Sequence, residues 1–300
     1  MLGDLLCAVP ALRALRAGFP EAEITLVGLA WAREFARRFD HLVDDFLELP
    51  GFPGLPETEP RVREVPAFLA AAHARHFDVA LQLHGSGRVT NTIAALLGAA
   101  KTEGFGLTVP YPERGHEIHR LLALVEALGV PAQGDELEFP LRPADSAELA
   151  SVAPGLEPGS YAVVHPGARS ARRWPEEGFA AVADALAAEG VRVVLTGTAG
   201  EAGVTARVAE LSRAGALDLT GRTSLGALAA LVAGARLLVS NDTGVSHVAA
   251  ALRIPSVVVV TTSDPDRWAP LDRELHRVVV RPESAEPVIA AAAAQLFAPA

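Results

Sequence analysis

The sequence predicts an α/β protein built as two Rossmann-like, doubly wound parallel-sheet domains. Short β-prone runs alternate with helical patterns along the whole chain, the alternation that lays helices on both faces of a parallel sheet. The 300 residues exceed the roughly 100–200 usual for one domain. The strongest Pro/Gly punctuation, residues 140–158, falls near mid-chain and divides it into residues 1–154 and 155–300, with a hinge near 155.

In chain order, residues 5–17 carry apolar side chains at helical spacing, with Asp4 placed as N-cap and Pro10 inside the helix. Strands are expected at 24–28, 43–47, 79–83 and 102–105, separated by helices at 30–39, 63–76, 89–97 and 117–128. Residues 51–60 are Pro/Gly-rich and read as a loop. The second half repeats the theme, with strands at 162–165, 192–196, 217–219, 237–240, 256–260 and 277–280. Helices at 176–188, 201–213, 225–233, 244–252 and 285–297 fill the gaps, the last placed to pack back on the first domain. One feature is awkward: the first strand of a doubly wound sheet is central, yet here a helical pattern begins directly after Met1-Leu2-Gly3. The first N-terminal strand is expected to be missing, or its place taken by another segment.

Composition narrows the class. Half the residues are hydrophobic and 21% charged, which excludes a disordered chain. A net charge of -10 argues against a nucleic-acid partner, whose binding rests on neutralising phosphates. The lone Cys7 rules out an intrachain disulfide, the N-terminus lacks signal-peptide features, and no apolar run is of membrane-spanning length. A cytoplasmic location follows, with membrane contact no more than peripheral.

The most informative stretch is Ser240-Asn241-Asp242-Thr243-Gly244-Val245-Ser246-His247, fed by an apolar run and followed by an Ala-rich helix pattern. A strand that opens a helix through Asp-Thr-Gly presents free backbone N–H groups and a positive dipole end, which suit phosphate. A second anion-suited turn, Pro166-Gly167-Ala168-Arg169-Ser170-Ala171-Arg172-Arg173, follows the strand ending at His165. Two such loops in one half suit a diphosphate, and together they point to a nucleotide-sugar site. Thr196 and Gly197 end a third strand, where nucleotides usually lie in α/β sheets. In the first half, Gln82, His84 and Arg88 follow a strand and His116 precedes a helix, positions that the family resemblance described next puts on the acceptor side. His116 and His119 lack the further ligands a metal site needs, and no metal or other cofactor is expected.

These residues resemble glycosyltransferase family 9, the heptosyltransferase-type enzymes of bacterial cell-surface polysaccharide synthesis. The marks are Gly3-Asp4 with Pro10-Ala11-Leu12-Arg13 and Phe19-Pro20, and His165-Pro166-Gly167 with Trp174-Pro175. Gly197-Thr198-Ala199-Gly200-Glu201, and Asn241-Asp242-Thr243-Gly244 with Ser246-His247, complete the set over nearly the whole chain. The resemblance implies a GT-B fold of two Rossmann-like domains facing a cleft, the N-terminal one for the acceptor and the C-terminal one for a nucleotide-sugar donor. It implies metal-independent, inverting transfer of a sugar, plausibly heptose, to a lipid-linked or polysaccharide acceptor. Asp4 matches the proposed base, Arg172 stands where relatives often carry a Lys on the donor phosphates, Glu201 matches a ribose contact, and Asp242, Thr243, Gly244 and His247 match the donor loop.

Each assignment has a plainer alternative. Asp4 is a general base or only a helix cap; Arg169 and Arg172 fork onto phosphate oxygens or form a solvated basic loop. Asp242 is a donor-site residue or an N-cap, His247 a donor-site or packed histidine, and Glu201 a ribose contact or a complement to a helix N-terminus. Trp268 stacks on the base or closes the core. Two rival functions share the scaffold: a nucleotide-sugar epimerase or hydrolase, and a catalytically silent nucleotide-sugar binding module.

Overall fold

The structure is a computed structural model that describes residues 1–297, with Ser170 as backbone only. Its contacts divide the chain into two compact units, Met1–Glu136 and Leu137–Ala300.

The first unit runs α1 (Leu2–Gly18), β1 (Thr25–Gly28), α2 (Ala32–Arg38), β2 (Asp45–Glu48), α3 (Val65–His73), β3 (Val79–Gln82), α4 (Thr90–Leu96), β4 (Lys101–Gly104) and α5 (Glu117–Ala127). β1 pairs in parallel with β2, and β3 with β4, as two separate two-stranded sheets. The single doubly wound sheet expected for this half is therefore replaced by two ladders. Among the described residues no strand joins them, so no other segment takes the place of the central first strand. The consequence is visible in burial: β1 and β2 are partly exposed at every position and Val79 of β3 is 51% exposed, because a parallel strand is buried only where neighbours and helices cover it. α1 packs chiefly on α5 and buries Leu6, Val9, Leu12 and their neighbours. It begins at Leu2 with Met1 as N-cap, which corrects the expected capping role of Asp4. Asp4 lies in the first turn instead, where its charge complements the helix dipole.

The second unit runs α6 (Pro143–Val152), β5 (Tyr161–His165), α7 (Glu176–Ala188), β6 (Arg192–Leu195), α8 (Ala202–Leu211), β7 (Leu217–Asp218), α9 (Leu225–Ala233), β8 (Leu237–Asn241), α10 (Gly244–Ala251), β9 (Ser256–Val260), α11 (Pro265–Trp268), β10 (His276–Val280) and α12 (Glu286–Leu296). All six strands are parallel, in the order β10-β9-β8-β5-β6-β7. β5, β8 and β9 are buried at all five positions, as expected of inner strands covered on both faces. α6 lies within the stretch read as hinge: Pro143 opens it at a position where the missing N–H costs nothing, and the Asp145 carboxylate accepts from the Arg142 N–H at 2.8 Å. It packs on α9 and so belongs by contact to this unit. α12 places Val288, Ala292 and Leu296 in the core cluster under α7 and β9. Among the described residues, no helix is long and apolar enough to cross a membrane.

Candidate functional site

Numbered from β5 within its unit, the strand order is 6-5-4-1-2-3, so the winding direction reverses between β5 and β8. Ligands of open α/β sheets bind outside the carboxyl ends of the strands at such a switch point. Here those ends are His165 and Asn241, and the chain leaving each is one of the two anion-suited loops.

The loop after β5 is fastened to β8 by one side chain. Asn241, fully buried, donates from Nδ2 to the Pro166 carbonyl at 2.8 Å and accepts at Oδ1 from the Trp174 N–H at 3.0 Å. Thr262 Oγ1 adds a bond to the Ala171 carbonyl at 3.1 Å. Within the loop the three arginines differ. Arg173 is committed to the fold, donating to the Ala168 carbonyl at 3.0 Å and facing Glu176 at 3.8 Å. Arg169 is exposed, Arg172 half-buried, and neither side chain has a partner among the described residues. Both belong to the loop that leaves β5 at the switch point, and a guanidinium without a protein partner keeps its full set of donors.

The loop after β8 enters α10 through Thr243, the N-cap, which makes no side-chain cap bond and whose buried Oγ1 has no partner among the described residues. Asp242 is not the N-cap, which removes its plainer alternative; it is buried and its N–H bonds the Val259 carbonyl at 3.0 Å. With no side chain on the first-turn N–H groups, the helix end keeps its capacity for an anion. His247 is buried one turn into α10. The Thr261 and Ser263 hydroxyls, just beyond β9, are also buried without partners; single hydroxyls in a Thr-Thr-Ser run carry no spacing signal, and sequence reasoning missed them.

At the β6 end, Thr196 is buried and its Oγ1 lies 2.9 Å from His165 Nδ1. This hydroxyl is spent on orienting the histidine. Burial holds the His165 imidazole below its ordinary pKa, with the nearby Glu201 carboxylate pulling the other way, so the ring is neutral at pH 7. Glu201 reaches back to cap the helix start: its Oε2 accepts from Thr198 N–H at 2.7 Å and Thr198 Oγ1 at 2.8 Å. Its carboxylate lies where a Cβ on Gly167 would stand, and Gly197 is similarly pressed by the Glu201 side chain. Gly167 is thus required by close approach. Gly167→Ala is expected to displace Glu201, costing about 1 kcal/mol of stability through the lost cap together with any ligand contact Glu201 makes. Denaturant melts and nucleotide titration of this variant check it; wild-type behaviour in both would contradict the packing argument.

In the first unit, Gln82 ends β3, and His84 and Arg88 lie on the chain between β3 and α4. Gln82 is buried, His84 and Arg88 exposed, and His84 Nε2 lies 3.7 Å from Glu57. His116 is the buried N-cap of α5, its Nδ1 accepting from the Ile118 N–H at 3.3 Å, a structural post. Asp4, 24% exposed at its side chain, lies 3.0 Å from the Met1 amino group. Asp264 caps the one-turn α11 by accepting from the Asp266 N–H. Trp268, half-buried, carries the Arg267 guanidinium 4.7 Å from its ring centre. Among the described residues no group of three or more His, Cys, Asp or Glu side chains could hold a metal ion.

This sheet order, with its switch point between β5 and β8, defines a doubly wound, Rossmann-like α/β domain. The family model for glycosyltransferase family 9 (heptosyltransferase) matches residues 107–293, and the chain belongs to that family. Lipopolysaccharide heptosyltransferase 2 of Escherichia coli is 39% identical over 108 residues, a match that covers 35% of this chain and 31% of that relative. The chain thus matches about a third of the length of such curated relatives. A glycosyl transferase family 9 structure from Veillonella parvula superposes with a TM-score of 0.82 at 22% identity, covering 99% of this chain and 94% of the other. E. coli heptosyltransferase WaaC with ADP gives 0.74 at 22% identity, covering 98% and 97%. These likenesses bear out the expected GT-B type of α/β fold.

Proposed function

We propose that the chain transfers a sugar, heptose in the first instance, from a nucleoside-diphosphate donor to a lipid-linked or polysaccharide acceptor. The observation that carries this reading is the pairing of unpaired Arg169 and Arg172 with the uncapped α10 N-terminus at the β5/β8 switch point. That is a diphosphate site whose charge stabilisation comes from guanidiniums and backbone dipoles, without a metal. Gly167, Gly197, Asp242, Thr243, Gly244 and His247 shape it, Thr196 positions His165, and Glu201 turns its second oxygen to the ribose. Family membership and the ADP in the WaaC structure favour an ADP-linked donor. The first unit holds the acceptor, with Gln82 at the end of β3 and His84 and Arg88 on the loop that follows. Asp4 acts as general base and the product has inverted configuration. The enzyme works in the cytoplasm with peripheral membrane contact.

Calorimetric titration with ADP, UDP and GDP in chelator tests the donor site. ADP is expected to bind, and Arg172→Ala to weaken it roughly 10- to 100-fold, the scale of a charge-assisted hydrogen bond. Absence of binding by all three, or turnover that stops in chelator, would overturn this reading. Donor consumption at full rate without acceptor would favour the epimerase or hydrolase alternative.

A further inference from the structure

The carboxyl end of the β3/β4 ladder holds a second polar site of opposite chemistry. Gln82, 4% exposed, donates from Nε2 to the His84 carbonyl and, at 2.7 Å, to Thr90 Oγ1. Asn91, in the first turn of α4, donates from Nδ2 to the Phe105 carbonyl at 2.8 Å. Because each amide nitrogen faces a carbonyl, which accepts only from a donor, the orientation of both side chains is settled. Gln82 Oε1 and Asn91 Oδ1 are left buried without a partner. They converge: a Cβ on Gly104, the residue opposite Gln82 in the ladder, would lie 3.3 Å from the first and 3.4 Å from the second. Gly87 keeps the place open for Asn91, since a side chain there would collide with it, whereas a Cβ on Gly104 or Gly106 would only touch it, at 3.4 and 3.5 Å.

Two buried acceptors without a donor cost the fold desolvation free energy that a ligand can return. Both are hydrogen-bond acceptors, so the complement is a donor such as a hydroxyl, not the anion that the second unit suits. We propose that Gln82 and Asn91 form a hydroxyl-recognising subsite that takes a sugar O–H of the acceptor saccharide, a reading that rests on the first unit being the acceptor side. Both oxygens are buried, so admitting the sugar requires the loop between Gln82 and Asn91 to shift; that loop holds Gly85 and Gly87 at positive φ, exposes Ser86 and Arg88, and is tied to Gln82 through the His84 carbonyl. Gln82 is thereby a specificity-determining residue, with Asn91 its partner.

The test is NMR of the full chain with 15N-labelled side-chain amides, titrated with methyl α-D-mannopyranoside and its monodeoxy derivatives, with ADP titrated separately. The glycoside is expected to shift the Gln82 and Asn91 amide signals, and loss of one particular hydroxyl to weaken binding about five- to tenfold. Gln82→Met should abolish the glycoside response and leave the ADP response intact; the deoxy series reaches the same question in the wild-type chain should that variant fold poorly. A glycoside that leaves both amides unmoved while ADP binds overturns the subsite and spares the donor-site reading; a water as sole occupant would give this result. If ADP also fails to bind, the donor-site reading falls with it.

Discussion

Asp4→Asn is expected to slow glycosyl transfer by about 10²- to 10⁴-fold, the contribution of a positioned general base, while leaving ADP affinity at the wild-type value. Asp4 belongs to α1 in the unit Met1–Glu136, whereas the loops proposed to hold the diphosphate belong to Leu137–Ala300. The substitution preserves shape. What it removes from the fold is one charge near a helix N-terminus, worth about 0.3–1 kcal/mol at an exposed site, too little to explain a hundredfold loss of rate. The structure also sharpens the alternatives for this residue. Capping falls to Met1, so Asp4 is not held by that duty, and its side chain keeps 24% of its surface open. Initial rates of nucleoside-diphosphate release, with and without acceptor, alongside ADP calorimetry and thermal melts, check the prediction. Transfer within about threefold of wild type, less than 1 kcal/mol of barrier, would leave Asp4 as a helix-dipole residue and require another base.

The parts of this protein legible in its sequence are those governed by neighbours along the chain. Tyr161–His165, Leu237–Asn241 and Ser256–Val260 read as buried strands because inner parallel strands are apolar on both faces. The segments after the first two read as turns because Pro-Gly and Asp-Thr-Gly are local turn signals. What was not legible depends on partners distant in sequence. α6 was hidden because Pro143 reads as a breaker within a Pro/Gly stretch, although at the first helical position it is a starter. The cap of α1 was misplaced because the apolar period becomes clear only at Leu5, three residues after the helix begins. The split of the first unit into two ladders, and the orphan oxygens of Gln82 and Asn91, follow from which edges meet, and no spacing encodes that.

Asn241 is the plainest case, since its amide joins residues 67 and 75 positions away. Asn241→Leu is expected to lower stability by about 2–6 kcal/mol, because it strands two buried backbone groups, the Pro166 carbonyl and the Trp174 N–H, each costing about 1–3 kcal/mol. For a unit of this size that corresponds to a fall in Tm of roughly 2–4 °C per kcal/mol. Trp174 itself remains anchored, packed edge-on against Phe179 with ring centres 5.1 Å apart, so the damage concentrates at the Pro166 end, where Gly167 and Arg169 lie. ADP affinity should therefore fall with stability, although Asn241 needs no contact with the ligand. Asn241→Asp separates the hydrogen bonds from the packing. One carboxylate oxygen still accepts from Trp174 N–H, but the other meets the Pro166 carbonyl, an acceptor facing an acceptor. That pairing favours the protonated acid, raising its pKa in the folded state above the unfolded value. The folded variant then binds the proton more tightly than the unfolded one, so its deficit against wild type is largest above the raised pKa and shrinks as pH falls through it. Urea melts of both variants at pH 5 and pH 8 measure this. A leucine variant as stable as wild type, or an aspartate variant with the same deficit at both pH values, would show that Asn241 does not bind the loop to β8 through these two bonds.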